Sequence, residues 1–361
     1  MADKGRRLQE AKAAQAAKRR RARRRKRAMF LITEIFILFA LLVIGYGMIK
    51  YGKIDKSMFE KGAIKVNEGV RQDGYTTIAL FGGDSREGNL GPGTHADTMM
   101  VVSIDDKTKE IKMVSVYRDM LARQASGEIK KANNGYFTGG PEAAINMLNE
   151  NLDLDIEDYV TVDFSAVADA VDLLGGIDVE VTEAEAVELN ACQVEVAMVS
   201  GKEVIPVSAG ANHLNGVQTV AYARMRYNVG GDYARTDRQR LVVQKMMEKV
   251  KGCNLITINS MIDEIFPKVS TSFTMKDILK LAAGLAKYEL GETSGYPFEK
   301  TDGAVDGIGS VVVQLGHVEN VEELHAFLYP KDDYAVSGTV QEIAQQIEQI
   351  SGYTRADYVA P

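Results

Sequence analysis

The sequence predicts an α/β protein, a mixed β-sheet covered by helices, preceded by one transmembrane helix. Three observations carry that prediction. Between residues 76 and 331, runs of β-branched and aromatic residues alternate with helical patterns. Two of those runs, 98–104 and 111–117, are separated only by Asp105-Asp106-Lys107-Thr108-Lys109-Glu110, a polar hairpin loop that brings antiparallel pairing into the alternation. Upstream, Ala28 to Ile49 reads AMFLITEIFILFALLVIGYGMI, 22 residues, which at roughly 1.5 Å per helical residue is long enough to cross a bilayer.

The first 27 residues hold thirteen Lys or Arg against Asp3 and Glu10, a net +11. Since the chain as a whole carries −7, the rest carries −18. Basic residues stay on the cytoplasmic side of a span, so 1–27 is expected as a cytoplasmic tail and 28–49 as a single-pass anchor in the cell membrane. Everything from Lys50 onward is expected outside the cell. Glu34 lies within two turns of the basic end, where its carboxylate reaches the headgroups. A strongly acidic body argues against nucleic acid as a partner, because neutralising a phosphate backbone needs a basic face. Any anion site in it must be built locally.

Residues 50–75 read as a charged stalk, and 76–331 as one domain; with 361 residues, 45% of them hydrophobic, a sizeable core is available. Thr76 to Phe81 is the first strand, followed by the hairpin. Pro141 suits the first turn of a helix over Glu142 to Asn151. A strand follows at Tyr159 to Phe164, and Ser165 is placed to cap a helix over Ala166 to Leu174. Gly175 and Gly176 stop that helix before the strand Ile177 to Val181. Further helices are expected at Asn215 to Tyr222, Thr236 to Lys251, Met275 to Tyr288 and Val321 to Leu328. The tail 332–361 contains a helical stretch near Val340 to Ile350, which either docks on the domain or forms an appendage. Cys192 and Cys253, the only cysteines, have no metal-ligand spacing; one disulfide and two separate thiols both remain open.

The chain has no G-x-x-x-x-G-K-[ST] loop, no H-E-x-x-H and no G-x-S-x-G elbow, and its four histidines are dispersed. Acidic residues and arginines instead gather where strands end. Gly82-Gly83-Asp84-Ser85-Arg86-Glu87-Gly88 follows the first strand, and Asp97 opens the next. Two carboxylates at adjacent strand ends suit a hard divalent cation such as magnesium, which completes its octahedron with phosphate and water; turn capping by Asp84 and Asp97 is the alternative. Arg118-Asp119 ends the third strand. Arg224-Met225-Arg226 and the stretch Asp232-Tyr233-Ala234-Arg235-Thr236-Asp237-Arg238-Gln239-Arg240 follow later. At helical spacing Arg235, Arg238 and Gln239 share a face near a helix N-terminus, where guanidinium forks and the positive helix end favour phosphate. A surface helix with ion pairs to Asp232 and Asp237 is the competing explanation.

Taken in order, FGGDSREG, ADTMMVVSID, SVYRDM, NGYFTGGPEAAINMLNENLDLDIEDYVTVDF, LLGGIDVEV, HLNGVQTVAYARMR and DYARTDRQR resemble the LytR-CpsA-Psr family of cell-envelope proteins. The likeness is close from Thr76 to about Val250 and looser to about Pro330. It implies an extracellular phosphotransferase that moves a glycopolymer, such as teichoic acid or capsule, from a polyprenyl-pyrophosphate carrier to peptidoglycan, with a hydrophobic groove for the polyprenyl chain and Mg2+ at the pyrophosphate. Asp84 and Asp97 match the family's metal-associated aspartates. Arg118, Arg224, Arg226, Arg235 and Arg238 match its phosphate-contacting arginines, and Gln239 the glutamine that follows. Arg86 joins these pyrophosphate candidates from the strand-end loop, and Asp97 and Arg118 are the candidate catalytic pair. Tyr117 departs from the pattern, which commonly has Pro there. Two other functions remain in competition: an envelope-linked transcriptional regulator, and a carrier-binding protein or pyrophosphatase lacking an acceptor.

Overall fold

The computed structural model describes residues 52, 63–83, 89–227 and 229–357. The basic tail, the apolar span 28–49, most of the stalk, Asp84 and Arg86 lie outside the described residues. Among those described, no helix is long and apolar enough to cross a membrane. All elements below fall in the unit Lys53–Pro361.

A six-stranded mixed sheet organises this unit, in the order β10-β3-β2-β1-β6-β9. Strands β1 (Tyr75–Gly83), β2 (Ala96–Asp105) and β3 (Glu110–Val116) form an antiparallel meander, as the hairpin loop predicts. Asp105 tightens that loop by accepting from the Lys107 and Thr108 amides. Strand β6 (Asp158–Asp163) runs parallel to β1, and β10 (Glu289–Tyr296) parallel to β3. Strand β9 (Val269–Thr271) closes the other edge, antiparallel to β6. Among the described residues, three antiparallel strand pairs lie outside the sheet: β4 (Leu121–Arg123) with β5 (Ile129–Lys131), β7 (Ile177–Val181) with β8 (Gly210–Leu214), and β11 (Lys300–Val305) with β12 (Gly309–Gln314).

Because side chains alternate across a strand, β2 feeds both faces, which explains its near-continuous hydrophobic run. Met99 and Val101 join a core with α1 (Asn133–Leu152) and α8 (His317–Leu328), through Ile145, Leu148, Val321 and Leu324. Met100, Val102 and Ile104 face the other way, toward Val243 and Met247 of α5 (Gly231–Val250) and Ile278 of α7 (Met275–Gly284). A further core joins α2 (Phe164–Leu173), α3 (Glu183–Ser200), α4 (Gly216–Arg224) and the β7–β8 pair. Helix α6 (Leu255–Ile265) packs on α2.

Several boundaries differ from expectation for identifiable reasons. Helix α1 begins nine residues before Glu142; Gly139 and Gly140, the latter at φ 67°, kink it, and Pro141 opens its second segment. The cap of α2 is Asp163, which accepts from the Ala166 amide at 2.7 Å, while Ser165 donates its hydroxyl to the same carboxylate. Asp163 has the extended backbone of a cap, φ −93° and ψ 172°, whereas Ser165 already lies inside the helix. Helix α5 starts at Gly231, so Asp232 and Arg235 lie in its first turns. Cys192 and Cys253 are both free.

The C-terminal segment, whose docking the sequence left open, packs onto the unit. In α9 (Gly338–Ser351), Val340, Ile343 and Ile347 are buried. Asp153, fully buried with φ 50°, anchors its approach by accepting from Tyr334 Oη at 2.7 Å, Ser337 N at 2.8 Å and Ser337 Oγ at 2.7 Å.

Candidate functional site

The meander determines where chemistry collects. Since β2 runs against its two neighbours, its first residues lie beside the ends of β1 and β3, and the parallel β6 brings Asp163 and Phe164 to the same edge. Asp97 therefore meets Arg118 although 21 residues separate them. The carboxyl ends of open α/β sheets are where ligands commonly bind.

A pocket of about 1000 Å³ opens at this edge, lined by Asp97, Arg118, Arg224, Arg226, Arg235 and Gln239 among others. These six candidates, drawn from four separate stretches, thus come together. Arg118 Nη1 donates to Asp97 Oδ1 at 2.5 Å, and its other nitrogens approach Asp119 and Asp232, each at 3.6 Å. Arg226 and Arg235 also converge on Asp232, at 3.1 and 3.0 Å. Three guanidinium groups therefore share one carboxylate. Asp232 Oδ1 is the oxygen that all three face, and the Nε atoms of Arg118 and Arg235 are buried without a hydrogen-bond partner among the described residues. Those two N–H donors carry a desolvation cost that an acceptor within reach would relieve.

The pKa directions agree with this crowding. Burial pulls the Arg118 guanidinium down, but the carboxylates of Asp97, Asp232 and Asp119 outweigh it and hold it above its ordinary value. Burial lowers Arg235, and the neighbouring Arg118 charge lowers it further. Both remain charged, as arginine does in proteins.

Arg224 lies over the Phe164 ring at 5.1 Å and pairs with Glu195 at 3.4 Å. Arg238 does not line the pocket. It donates to Met225 O at 2.8 Å, Val229 O at 3.1 Å and Glu185 Oε1 at 3.2 Å, so it fastens the loop that carries Arg226. Sequence reasoning weighed Asp232 only as a surface ion-pair partner and gave Asp119 no role; Lys131, paired with Asp119 at 2.9 Å, was missed altogether. No local pattern marks Lys131, since β5 reaches the pocket only through the fold. Asp84 and Arg86 lie outside the described residues.

A second cavity, about 250 Å³ and almost wholly apolar, adjoins the first. It lies among Leu80, Met100, Val160, Val220 and Val243, and it shares Phe164 and Gln239 with the arginine pocket. Gln239 donates to Ala223 O at 3.4 Å.

For a metal, no group of three His, Cys, Asp or Glu side chains converges among the described residues. Asp97 and Asp119 both line the pocket. Their hard oxygens suit magnesium as part of a coordination sphere that phosphate and water complete, and do not form a cage by themselves.

Fold and site together define a mixed α/β domain whose arginine-lined pocket adjoins an apolar cavity. Residues 42–325 match the LytR_cpsA_psr family model, and the chain belongs to that family. It is 31% identical over 227 residues to the Bacillus subtilis polyisoprenyl-teichoic acid–peptidoglycan teichoic acid transferase TagV, covering 62% of this chain and 54% of that protein. The chain thus spans about half the length of that relative. It is 27% identical to Bacillus subtilis TagU, named for the same transfer, over 82% of this chain and 84% of that one. The crystal structure of B. subtilis TagV superposes with a TM-score of 0.56 at 25% identity, covering 74% of this chain and 100% of that one.

Proposed function

We propose that this protein transfers a glycopolymer from a polyprenyl-pyrophosphate carrier to peptidoglycan, joining the two by a phosphodiester. The observation that carries this reading is the sharing of Phe164 and Gln239 by an arginine-lined pocket and an apolar groove. A lipid diphosphate has the same two-part chemistry. Each charge-assisted hydrogen bond contributes roughly 1.5–3 kcal/mol net, so Arg118, Arg224, Arg226 and Arg235 suffice to hold a pyrophosphate in an otherwise acidic domain. The names of TagV and TagU support the reaction class.

In this mechanism an acceptor hydroxyl on peptidoglycan attacks the phosphorus that bears the sugar. The new O–P bond forms as the bridging P–O bond breaks, and polyprenyl phosphate departs with the electron pair. Arg118 and Arg235 stabilise charge on the phosphoryl oxygens and the leaving group, since pre-oriented donors act most strongly where charge develops. Asp97 orients the hydroxyl and takes its proton. Magnesium, held by Asp97 with Asp84 and by the substrate's own phosphates, would supply further neutralisation of the diphosphate. The membrane anchor over 28–49 would keep the groove near its lipid-linked donor.

The test incubates the full chain in detergent with a polyprenyl-pyrophosphate-linked oligosaccharide, peptidoglycan fragments and magnesium. A phosphodiester-joined product that disappears with Arg118→Ala is the expected result. Sugar phosphate released without joining would instead identify a pyrophosphatase, and no consumption of the donor would leave a binding protein.

A further inference from the structure

The arginines occupy only part of the larger pocket. Another part of its wall is built from different chemistry: His95, Asn133 and Asn134. The exposed His95 ring stacks on the exposed ring of Phe137, with centroids 4.4 Å apart and planes 16° from parallel. An aromatic pair left open to solvent is unusual in a chain without tryptophan and with only 7% aromatic residues.

The platform is held by more than the two rings. Gly93 N donates to Phe137 O at 2.8 Å, and Tyr136 Oη donates to Leu90 O at 2.5 Å, so the loop leading to His95 is fastened to α1 at two points. Gly140 packs so near Pro92 that an added Cβ would lie 3.2 Å from its ring. Asn133 is equally fixed, its backbone amide donating to Arg118 O at 3.0 Å. The side-chain amides of Asn133 and Asn134 make no hydrogen bond to another described residue, and both are only half-buried. Each offers two donors and an acceptor.

We infer that His95 and Phe137, with the amides of Asn133 and Asn134, form a saccharide subsite beside the arginines. A pyranose has an apolar C–H face that lies flat on an aromatic ring, and a rim of hydroxyl or acetamido groups that amides pair with. Phosphate needs neither feature, and a lipid chain would leave the two amides unpaired. The subsite rests on the proposed function, because a sugar attached to the diphosphate, or a glycan bringing the acceptor hydroxyl, must lie next to Arg118. Both sources share this chemistry.

The experiment measures affinity calorimetrically with the full chain in detergent, using three probes. Geranylgeranyl pyrophosphate, which has no sugar, tests the lipid-diphosphate reading alone. An N-acetylhexosamine-bearing polyprenyl pyrophosphate and a peptidoglycan tetrasaccharide test the subsite. Phe137→Ala and Asn134→Ala are expected to weaken a sugar-bearing probe on the order of tenfold, the effect of losing one anchoring contact, while geranylgeranyl pyrophosphate binds as to the wild type. Phe137→Tyr keeps the ring and is expected to restore affinity, which Phe137→Leu, keeping only bulk, does not. Weakening of the donor probe alone assigns the subsite to the donor sugar, and weakening of the tetrasaccharide alone to the acceptor. Equal affinity of wild type and variants for both glycans, or rescue by Leu as well as Tyr, would overturn the inference. Failure of the wild type to bind geranylgeranyl pyrophosphate would count against the proposed function instead.

Discussion

Two carboxylates in this molecule gather several donors, and they differ in how well those donors are satisfied. Asp153 accepts from Asn67 Nδ2 at 2.6 Å, Ser337 Oγ at 2.7 Å, Tyr334 Oη at 2.7 Å and Ser337 N at 2.8 Å. All four partners are neutral, and the cluster ties the stalk-side segment and the C-terminal helix to the core. Around Asp232 Oδ1 stand three guanidinium groups instead, at 3.0 to 3.6 Å, and the Nε atoms of two of them have no hydrogen-bond partner among the described residues. A complete network stabilises a fold, whereas buried donors left over beside a pocket remain open to an acceptor. The difference teaches where to look for function among buried charges.

That contrast is breakable by mutation. Arg118→Ala is expected to reduce transfer by about 10²–10³-fold, the scale seen when one transition-state donor is removed, with little change in melting temperature; a large loss of stability would mean that the arginine cluster is structural. Asp153→Ala should do the reverse. Leaving its donors buried and unpaired is expected to cost about 3 kcal/mol, read as a lower urea midpoint, while the folded fraction keeps its affinity for geranylgeranyl pyrophosphate.

Next to Asp153, His317 gives a pH test of the structural region. Its Nε2 donates to Asn151 O at 3.0 Å and its Nδ1 accepts from Gln314 at 3.3 Å, so the neutral ring is the satisfied form. Burial lowers its pKa to about 4. The unfolded chain therefore binds a proton that the folded chain refuses between about pH 6.5 and 4. Stability from this group is full above pH 6.5 and falls as the pH drops toward 4. His317→Gln should flatten that slope in urea titrations at several pH values, and an unaltered slope would exclude the group.

The smallest effect is expected at Asp232 itself. Asp232→Asn removes the charge with which an incoming anion competes, so inorganic pyrophosphate should bind roughly threefold tighter at low salt, with the gain disappearing at high salt. Weaker binding would show that Asp232 orders the arginines more than it opposes the ligand.

Much of this was legible beforehand. The hairpin loop at 105–110, the glycine stop at Gly175-Gly176 and the separate strand-end residues Asp97 and Arg118 stood where local pattern placed them. Helix α3 was overlooked although Thr182 and Glu185 spell its capping box, because its apolar residues run around the helix without a clear stripe. The apolar groove had no local signature, since its walls come from three strands and three helices.

Local sequence pattern was enough for the family, for the β1–β3 meander, for helices such as α2 and α4, and for the arginines and carboxylates on offer. Tertiary structure decided which of them face the pocket. Arg235 and Arg238 lie three apart on one helix and are equally buried, yet one turns to Asp232 and the other holds the loop at Met225. Helical period sets which side chains share a face, but what packs against each part of that face depends on contacts between residues far apart in the chain.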